Sequence, residues 1–332
     1  MTQFPANRAE PIDAVITWVN GNSNNHRVKR RSYMADAGEV LHENAINPHR
    51  WLCNNEILFC LQSIHNHAPW TRKIWIVVDE ETPDLSSLPL ELRAKIEFAF
   101  HRDLFRDFEE ALPTFNSLAI ESLIWRIEGL SECFMYFNDD VFLTSPLLPT
   151  DMFRGAMPVL RGKWVDYRDL LANTGARDDP AKFNHFMQIN AATLMGFDAT
   201  RLFAAAHVVH PLRRSVMLHL FDAHPQVFAN NIRHRFRDLE QFLPQGLHNH
   251  ACILSGVAVL HEENDHLHIK SGQGNDHTAA QTVDLLLGLP GSEIKFLCVN
   301  DLPQLEEIMP EARDWLAQVI GGFSPHPMSD AG

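Results

Sequence analysis

The sequence predicts an α/β fold with a mainly parallel sheet, and three observations support this prediction. Short β-branched and apolar runs alternate with segments of helical periodicity across residues 12–143. The apolar runs are continuous, as in strands that are covered on both faces. Two of the runs, ending at residues 140 and 301, close with an Asn-Asp sequence. In open α/β sheets, ligands collect at such carboxyl ends of strands.

The first half of the chain predicts the element order β, α, β, β, α, β. Asn20-Gly21 is a strong turn signal after the first strand, Asn54 or Asn55 can cap the first helix, and Ser117 can cap the second. The predicted strands are 12–19, 73–79, 95–101 and 134–143, and the predicted helices are 54–67 and 117–129. This half, 12–143, is the expected nucleotide-binding part of a single domain spanning 1–332.

The second half of the chain differs from the first in amino-acid composition. Residues 144–198 are rich in Pro, Gly and polar side chains, which predicts an irregular excursion over the site. Residues 199–321 are predicted to be mostly helical and to complete the site, with helices near 199–206, 212–223 and 239–255. A short strand is expected at 293–301, followed by a packing helix at 305–320.

The charge of the chain limits the classes of partner. Lys and Arg total 28 against 42 Asp and Glu, a formal net charge of -14. A nucleic-acid-binding protein is usually basic, so no nucleic-acid partner is expected. Any phosphate must therefore be bound by a local cluster of cations.

The cysteines and the hydropathy favour a cytoplasmic location. The five cysteines include no C-x-x-C pair, which fits a reducing compartment. The amino terminus lacks the order of a signal peptide, and the most apolar run, 251–260, is far shorter than the roughly 20 residues of a spanning helix. We expect no transmembrane segment, and peripheral contact with the inner face of the membrane stays open.

Two adjacent carboxylates, Asp139 and Asp140, end the run that begins at Phe134. Taken alone, Asn138-Asp139-Asp140 is typical of a turn. The alternative is a metal-diphosphate site, because close carboxylates repel unless a cation or proton neutralises one, and Mg²⁺ takes oxygen ligands. Asn300-Asp301 repeats the pattern, and the two strand ends could converge on one cation.

Two Arg/His clusters, 207–214 and 233–238, are locally basic in this acidic chain. Arginine suits phosphate because its planar fork donates two hydrogen bonds, and a histidine suits proton transfer from a hydroxyl. Without further context, such clusters are more often exposed salt-bridge networks.

Four blocks of this sequence resemble sequence blocks of the Stealth family. That family contains bacterial capsular polysaccharide phosphotransferases and the catalytic subunit of animal N-acetylglucosamine-1-phosphotransferase. The blocks are 12–21, 54–142, 207–214 together with 233–238, and 295–301. The resemblance implies a Rossmann-like fold related to the nucleotide-sugar transferases of the GT-A type. It also implies transfer of a sugar-1-phosphate from a UDP-sugar to a hydroxyl of a saccharide or growing polysaccharide, releasing UMP, in capsule or exopolysaccharide synthesis.

The resemblance also implies roles for individual residues. Mg²⁺ or Mn²⁺ would be held on the diphosphate by Asp139 and Asp140 with Asn300 or Asp301. Arg235 or a neighbouring arginine would stabilise the phosphoryl charge, and His210 is the candidate base. Asp13 is expected by the donor nucleotide with a catalytic role, and Asn20 and Gly21 are expected beside it. The residues expected to bind the donor or the acceptor are, in addition, Asn116, Glu121, Arg233 and Arg237.

Two other functions remain compatible with the sequence. A metal-dependent glycosyltransferase would use the same aspartates but release UDP. A non-catalytic carbohydrate-binding protein would bind the donor without turnover.

Overall fold

The computed structural model describes residues 10–36, 41–46, 51, 54–270 and 277–323. The strands are β1 Ile12–Thr17, β2 Ile74–Val78, β3 Ile96–Phe100, β4 Cys133–Asn138, β5 Val141–Leu143, β6 Phe153–Arg154, β7 Met157–Val165, β8 Leu202–Ala205, β9 His210–Arg213, β10 Val259–His261, β11 His266–Ile269 and β12 Phe296–Val299. The helices are α1 Asn24–Asp36, α2 Glu43–Ile46, α3 Glu56–His67, α4 Leu90–Arg93, α5 His101–Leu104, α6 Ser117–Glu121, α7 Pro149–Met152, α8 Arg168–Ala172, α9 Phe183–Leu194, α10 Arg214–Ala223, α11 Pro225–Arg233, α12 Pro244–Leu254, α13 Ala279–Leu287, α14 Leu302–Ile308 and α15 Ala312–Val319.

The central sheet has the strand order β3-β2-β1-β4-β9. Strands β1 to β4 are parallel to one another, and β9 is antiparallel to β4 at the edge. Thr17 pairs with Asn138, so β1 and β4 end at the same level. The prediction of an α/β fold with a mainly parallel sheet is confirmed, and it places the carboxyl ends of four strands side by side.

The core lies on both faces of the central sheet. Ala14 and Ile16 face one hydrophobic cluster together with α3, while Val15, between them in β1, faces a second cluster. Both clusters are fully buried at these positions. Alternate side chains of a strand point to opposite faces, so an unbroken apolar run is what a strand covered on both sides requires.

The predicted strand 134–143 is divided between two sheets. It runs as β4 to Asn138, turns at Asp139 and Asp140, and resumes as β5. Strand β5 leaves the central sheet and pairs antiparallel with β12 in a second sheet of order β11-β12-β5, which we call the corner sheet. The two carboxylates therefore lie at the corner between two sheets.

The prediction of an irregular segment at 144–198 was wrong. This segment contains the nine-residue strand β7 and the twelve-residue helix α9. Strand β7 pairs with β6, β8 and β10 in a third sheet. Its polar residues Arg161 and Lys163 line a cavity, which is why the sequence around them resembles a loop.

Two helix predictions also require correction. Residues 199–206 form strand β8, because they pair with β7 from Leu202 to Ala205. The predicted helix 117–129 is helical only in α6, and a single 3₁₀ turn, Ile124–Arg126, follows. Helices α10 and α12 confirm a helix within each of the predicted segments 212–223 and 239–255, but residues 212–213 belong to β9 and residues 239–243 are not helical. Among the described residues, no helix is long and apolar enough to cross a membrane.

Candidate active site

A cavity of about 990 Å³ lies at the carboxyl ends of the four parallel strands. Thr17, Asp79, His101 and Asn138 reach it from β1, β2, β3 and β4 respectively. Strand β7, helix α9 and the β12–α14 connection form other walls. The position is the one expected for a ligand site in an open α/β sheet.

A cluster of carboxylates lies on the wall at the sheet corner. Burial raises the pKa of Asp139 well above its ordinary value, and the neighbouring charges of Asp140 and Glu56 raise that pKa further. Burial raises the pKa of Glu56 as well, and Asp301 adds to this effect. These groups repel one another when ionised, so a nearby cation would stabilise their charged forms.

The second Asn-Asp sequence converges on the first. Because β12 pairs with β5, the backbone amide of Val299 donates a hydrogen bond to the carbonyl oxygen of Asp140 at 3.1 Å. Asn300 and Asp301 follow directly and line the same cavity. Asp301 has a left-handed backbone (φ 63°) and caps α14 by accepting a hydrogen bond from the amide of Gln304. All four residues predicted to hold the metal therefore line the same cavity.

The donor set of this cluster fits a hard divalent cation. Asp139, Asp140 and Asp301 offer carboxylate oxygens, and Asn300 offers an amide oxygen. Mg²⁺ and Mn²⁺ favour oxygen ligands of this kind. Glu56 is a fifth oxygen donor near the same corner, for which the sequence alone needed no role beyond favourable placement in the first turn of α3.

His210 lines the same cavity as a buried imidazole on the edge strand β9. It pairs with Tyr136 across β4 and β9, and the two rings stack with centroids 6.5 Å apart. Burial, assisted by the nearby His248, lowers the pKa of His210 to about 4. The ring lines the cavity and is unprotonated at neutral pH, so it can accept a proton from a bound hydroxyl.

Only one of the three arginines in the cluster 233–237 lines the cavity, and it is Arg237. Its Nη2 donates to Ser117 Oγ at 2.7 Å. Burial lowers the pKa of Arg237, while the charges of Glu121, Tyr136 and Asp140 act in the opposite direction. Glu121 also lines the cavity and accepts a hydrogen bond from Gln245 Nε2 at 2.8 Å.

Arg233 and Arg235 lie outside the cavity lining. Arg233 is exposed and pairs with Glu240 at 3.3 Å. The guanidinium of Arg235 lies over the ring of Tyr33, 4.9 Å from its centroid, and donates to the carbonyl of Leu112. Arg235, the arginine that the sequence favoured, thus lies away from the carboxylate cluster. Arg237 lies close enough for the charge of Asp140 to affect it.

Asn116 joins the loop that precedes α6 to the loop that carries Arg237. Its Nδ2 donates to the carbonyls of His234 and Phe236 at 2.8 and 3.0 Å and to Gln241 Oε1 at 2.9 Å. Its Oδ1 accepts from the amide of Leu118, which caps α6. The side chain is 1% exposed and borders the cavity, so its observed contacts hold Arg237 in place.

Asp13 lies near the amino end of β1, at the opposite edge of the sheet from the cavity. Its fully buried carboxylate accepts from Arg72 Nε at 2.7 Å, from the amide of Ser131 at 2.9 Å and from Trp75 Nε1 at 3.1 Å. Burial alone would raise the pKa of Asp13, but the hydrogen bonds, that of Arg72 above all, hold this pKa below its ordinary value. Asp13 is not brought together with the other predicted site residues.

Asn20 and Gly21 lie in the turn after β1, outside the lining of the large cavity. Asn20 Nδ2 donates to Glu81 at 3.0 Å. A side chain at Gly21 would begin 1.9 Å from the carbonyl oxygen of Trp51, so close backbone approach explains the glycine. Trp51 itself lines the cavity.

Two family models match this sequence. Stealth protein CR1, conserved region 1, matches residues 10–38, and Stealth protein CR2, conserved region 2, matches residues 50–159. The chain belongs to the Stealth family. The correspondence of the block formed by 207–214 and 233–238, and of the block 295–301, with further family regions stays a prediction.

The Stealth chain is similar to longer bacterial proteins. An exopolysaccharide phosphotransferase of Streptomyces coelicolor is 34% identical over 237 residues, covering 71% of this chain and 42% of that protein. The exopolysaccharide phosphotransferase CpsY of Mycobacterium tuberculosis is 31% identical over 296 residues, covering 87% of this chain and 52% of CpsY. The chain thus spans about half the length of these relatives, or less. Among solved structures, the galactosyltransferase LgtC, in complex with donor and acceptor sugar analogues, matches 95% of this chain and 98% of its own at 11% identity and a TM-score of 0.47.

The sequence interpretation of the Stealth chain missed a polar group at the ends of β1 to β3. His101 is 3% exposed, and neither of its ring nitrogens has a hydrogen-bond partner among the described residues, although Nδ1 lies 3.8 Å from Asp79. Trp18 Nε1, His26 Nδ1 and Thr114 Oγ1 likewise lack hydrogen bonds within the described part of the chain. All border the cavity. Asp79 and His101 each follow a parallel strand directly, so the strand-end rule, applied to every strand, would have identified them.

Proposed function

We propose that this chain transfers a sugar-1-phosphate from a UDP-sugar to a hydroxyl of a saccharide or growing polysaccharide, forming a phosphodiester and releasing UMP. One observation carries the proposal. In a chain of the Stealth family, two Asn-Asp strand ends, a neutral buried histidine and an arginine meet in one cavity at the carboxyl ends of the parallel strands. The similar bacterial proteins are named exopolysaccharide phosphotransferases, which supports the same reaction class.

The donor would lie across the carboxyl ends of the strands. The polar atoms without hydrogen bonds at His101, His26 and Thr114, beside the aromatic rings of Trp51 and Phe115, suit a nucleoside, which needs both hydrogen bonds and a flat apolar surface. The diphosphate would then reach the carboxylate corner. The nucleoside surface replaces the sequence-based assignment of the donor nucleotide to Asp13, Asn20 and Gly21.

The metal would be Mg²⁺ or Mn²⁺, held by Asp139, Asp140 and Asp301 with Asn300. When bound, such an ion neutralises charge on the diphosphate and fixes its orientation. The raised pKa of Asp139 supports this assignment, because the cation would favour the ionised form that burial and neighbouring carboxylates disfavour.

The chemistry assigned to the protein is positioning, charge stabilisation and one proton transfer. The acceptor hydroxyl attacks the phosphorus that carries the sugar, the bond from that phosphorus to the bridging oxygen breaks, and UMP leaves with the bridging oxygen. His210 takes the hydroxyl proton, and Arg237 stabilises the negative charge on the transferred phosphoryl group. Arg237 replaces Arg235 in this role because it is the arginine of that cluster in the cavity lining.

The acceptor would enter from the side formed by β7 and α9, where polar side chains such as Lys163, Asn184 and His185 line the cavity. Polar walls of this kind suit a saccharide rich in hydroxyl groups. We propose that the reaction takes place in the cytoplasm, in capsule or exopolysaccharide synthesis, with peripheral contact at the inner face of the membrane.

Identification of the nucleotide product tests the proposal. The chain is incubated with a panel of UDP-sugars, Mg²⁺ or Mn²⁺ and saccharide acceptors, and the nucleotides are separated by chromatography. We expect UMP together with a sugar phosphodiester, with both lost in Asp140→Asn. Formation of UDP would show a glycosyltransferase, and donor binding without turnover across the panel would show a carbohydrate-binding protein. Either result rejects the proposal.

A further inference from the structure

Two histidines and a cysteine form a second cluster of metal-ligating atoms next to the carboxylate corner. One ligating atom from each of His207, His268 and Cys298 can be chosen so that all three lie within 4.8 Å of one another. The imidazole rings of His207 and His268 are tilted against each other, with centroids 4.8 Å apart. The cluster contains nitrogen and sulfur atoms only, unlike the oxygen donors of Asp139, Asp140 and Asp301.

The fold brings the three residues together from separate segments. His268 and Cys298 are paired across the parallel strands β11 and β12 of the corner sheet. His207 lies in the connection between β8 and β9. Two of the ligands are therefore fixed by one strand pair, and the third comes from a short connection anchored at both ends by strands.

The ligands have polar neighbours at the carboxylate corner. Cys298 is 1% exposed, and its thiol donates a hydrogen bond to Asn300 Oδ1 at 3.2 Å, which metal binding at the sulfur would replace. The Nε2 atom of His207 lies 3.4 Å from Asn138 Nδ2. His207 and His268 border the large cavity, whereas Cys298 lies behind them.

We propose that His207, His268 and Cys298 bind a thiophilic divalent cation of the Zn²⁺ class, through nitrogen and sulfur ligands that adjoin the carboxylate cluster at Asn300. Thiolate and imidazole together select Zn²⁺ and its close relatives over Mg²⁺, which prefers oxygen. Binding forms a metal–sulfur bond and releases the thiol proton of Cys298 to solvent. With three protein ligands, a further coordination position would be left for water or a substrate group.

This inference concerns metal binding and does not depend on the proposed sugar-phosphate transfer. The oxygen cluster and the nitrogen-sulfur cluster would discriminate between ions by chemistry, although they share the corner sheet. A binding experiment with a spectroscopic readout therefore tests it whether or not turnover is observed.

Cobalt(II) is the suitable probe, because it takes zinc sites and gives a thiolate-to-metal charge-transfer absorption band only when sulfur is bound. The protein, kept reduced with a phosphine, is titrated with Co²⁺ in the presence of a large excess of Mg²⁺. We expect a charge-transfer band that Zn²⁺ removes and Mg²⁺ does not. His207→Ala and His268→Ala should each weaken Co²⁺ binding by about tenfold or more, and Cys298→Ser should abolish the band.

Cys252→Ser is the matched control. Cys252 is also buried and also lies beside a histidine, with its Sγ 3.7 Å from His248 Nε2, but it is not part of the cluster. This variant should keep the full band. Thermal unfolding verifies that each variant is folded; if Cys298→Ser is not, the two histidine variants decide, since both rings are only partly buried.

Three outcomes would overturn the inference. They are the absence of the band in the unmodified protein, its persistence in Cys298→Ser, and cobalt binding that Mg²⁺ displaces, which would place the ion at the carboxylates. The exposed group His234, Asp238 and Glu240 cannot imitate the expected result, because it contains no sulfur.

Discussion

Carboxylates shielded from solvent, Asp13 fully and Asp139 partly, lie near the two ends of the central sheet, and their surroundings are opposite. Near the amino end, Asp13 is surrounded by donors from Arg72, Trp75 and Ser131, which hold its pKa below the ordinary value. Near the carboxyl end, burial and the charges of Asp140 and Glu56 raise the pKa of Asp139. The first carboxylate is stabilised by the protein itself. The second is in an environment that would favour a bound cation.

The arginines at the two ends differ in the same way. Arg72 gives two hydrogen bonds to the carboxylate of Asp13 and a third to the carbonyl of Gly129. Arg237 donates to Ser117 and has no hydrogen-bond partner for Nε among the described residues. Donors committed to protein acceptors stabilise the fold, whereas a guanidinium facing a cavity is available to a ligand.

The largest effect is expected at the carboxyl end. Asp140→Asn removes a charge from the proposed metal site, so we expect turnover to fall by about 1000-fold, on the scale of losing a preorganised electrostatic group. The melting temperature of the metal-free protein should stay equal or rise, since repulsion from Asp139 is relieved. The increase in melting temperature caused by Mg²⁺ or Mn²⁺ should disappear. A variant that keeps this increase would refute the metal assignment.

The second prediction compares two arginines of one cluster. Arg237→Ala should lower turnover by about 100-fold, because it removes charge stabilisation from the proposed transferred group. Arg235→Ala should change turnover per folded molecule by less than about twofold, the usual range for residues away from special features. Steady-state UMP release measures both. Equal losses in the two variants would mean that position in the cavity does not separate their roles.

The third prediction concerns the amino end. Asp13→Asn should lower the free energy of unfolding by about 2 kcal/mol, because it leaves Arg72 and the buried donors without their charged acceptor. The loss is smaller than for a fully buried pair, since the side chain of Arg72 is 39% exposed and can be hydrated. Denaturant unfolding measures the change. Turnover per folded molecule should be unaffected. A large fall in turnover would show that Asp13 acts in the active site and would contradict this prediction.

The smallest effect is a dependence on pH. The pKa of Asp13 in the folded protein lies below 3.8, its ordinary value, so its ionised form stabilises the fold above that value. This contribution is lost as the pH falls through the folded pKa. The difference in unfolding free energy between Asp13→Asn and the unmodified protein should be constant between about pH 5 and 8 and shrink below 3.8. A difference that grows on acidification would contradict the assigned sign.

The sequence predicted what depends on strand periodicity and strand ends. The parallel strands and the convergence of Asp139, Asp140, Asn300 and Asp301 follow from apolar runs that stop at polar residues. It missed β7, because the polar residues Arg161 and Lys163 interrupt its pattern where they line the cavity. At such positions a polar side chain that faces the cavity interrupts the apolar pattern of a strand. The segment is a strand nevertheless, because β7 pairs with three other strands.

The direction in which a side chain points could not be predicted from the sequence either. Arg233, Arg235 and Arg237 are equivalent in spacing, and only the path of a loop without regular structure sends Arg237 into the cavity. Asp13 likewise resembles a site residue until its hydrogen bonds place it at the amino end. Both outcomes depend on contacts between residues more than 50 positions apart, such as Arg72 with Asp13 and Asn116 with His234.

The buried amide of Asn116 has a consequence for the energetics of ligand binding. Asn116 contacts two carbonyls of the loop that carries Arg237 and also Gln241, in addition to the contact of Arg237 with Ser117. The loop is therefore preorganised, and its conformational entropy is lost during folding, before any ligand arrives. A donor that meets Arg237 in its working orientation need not use interaction energy to order that loop, so more of that energy remains for affinity and for the reaction.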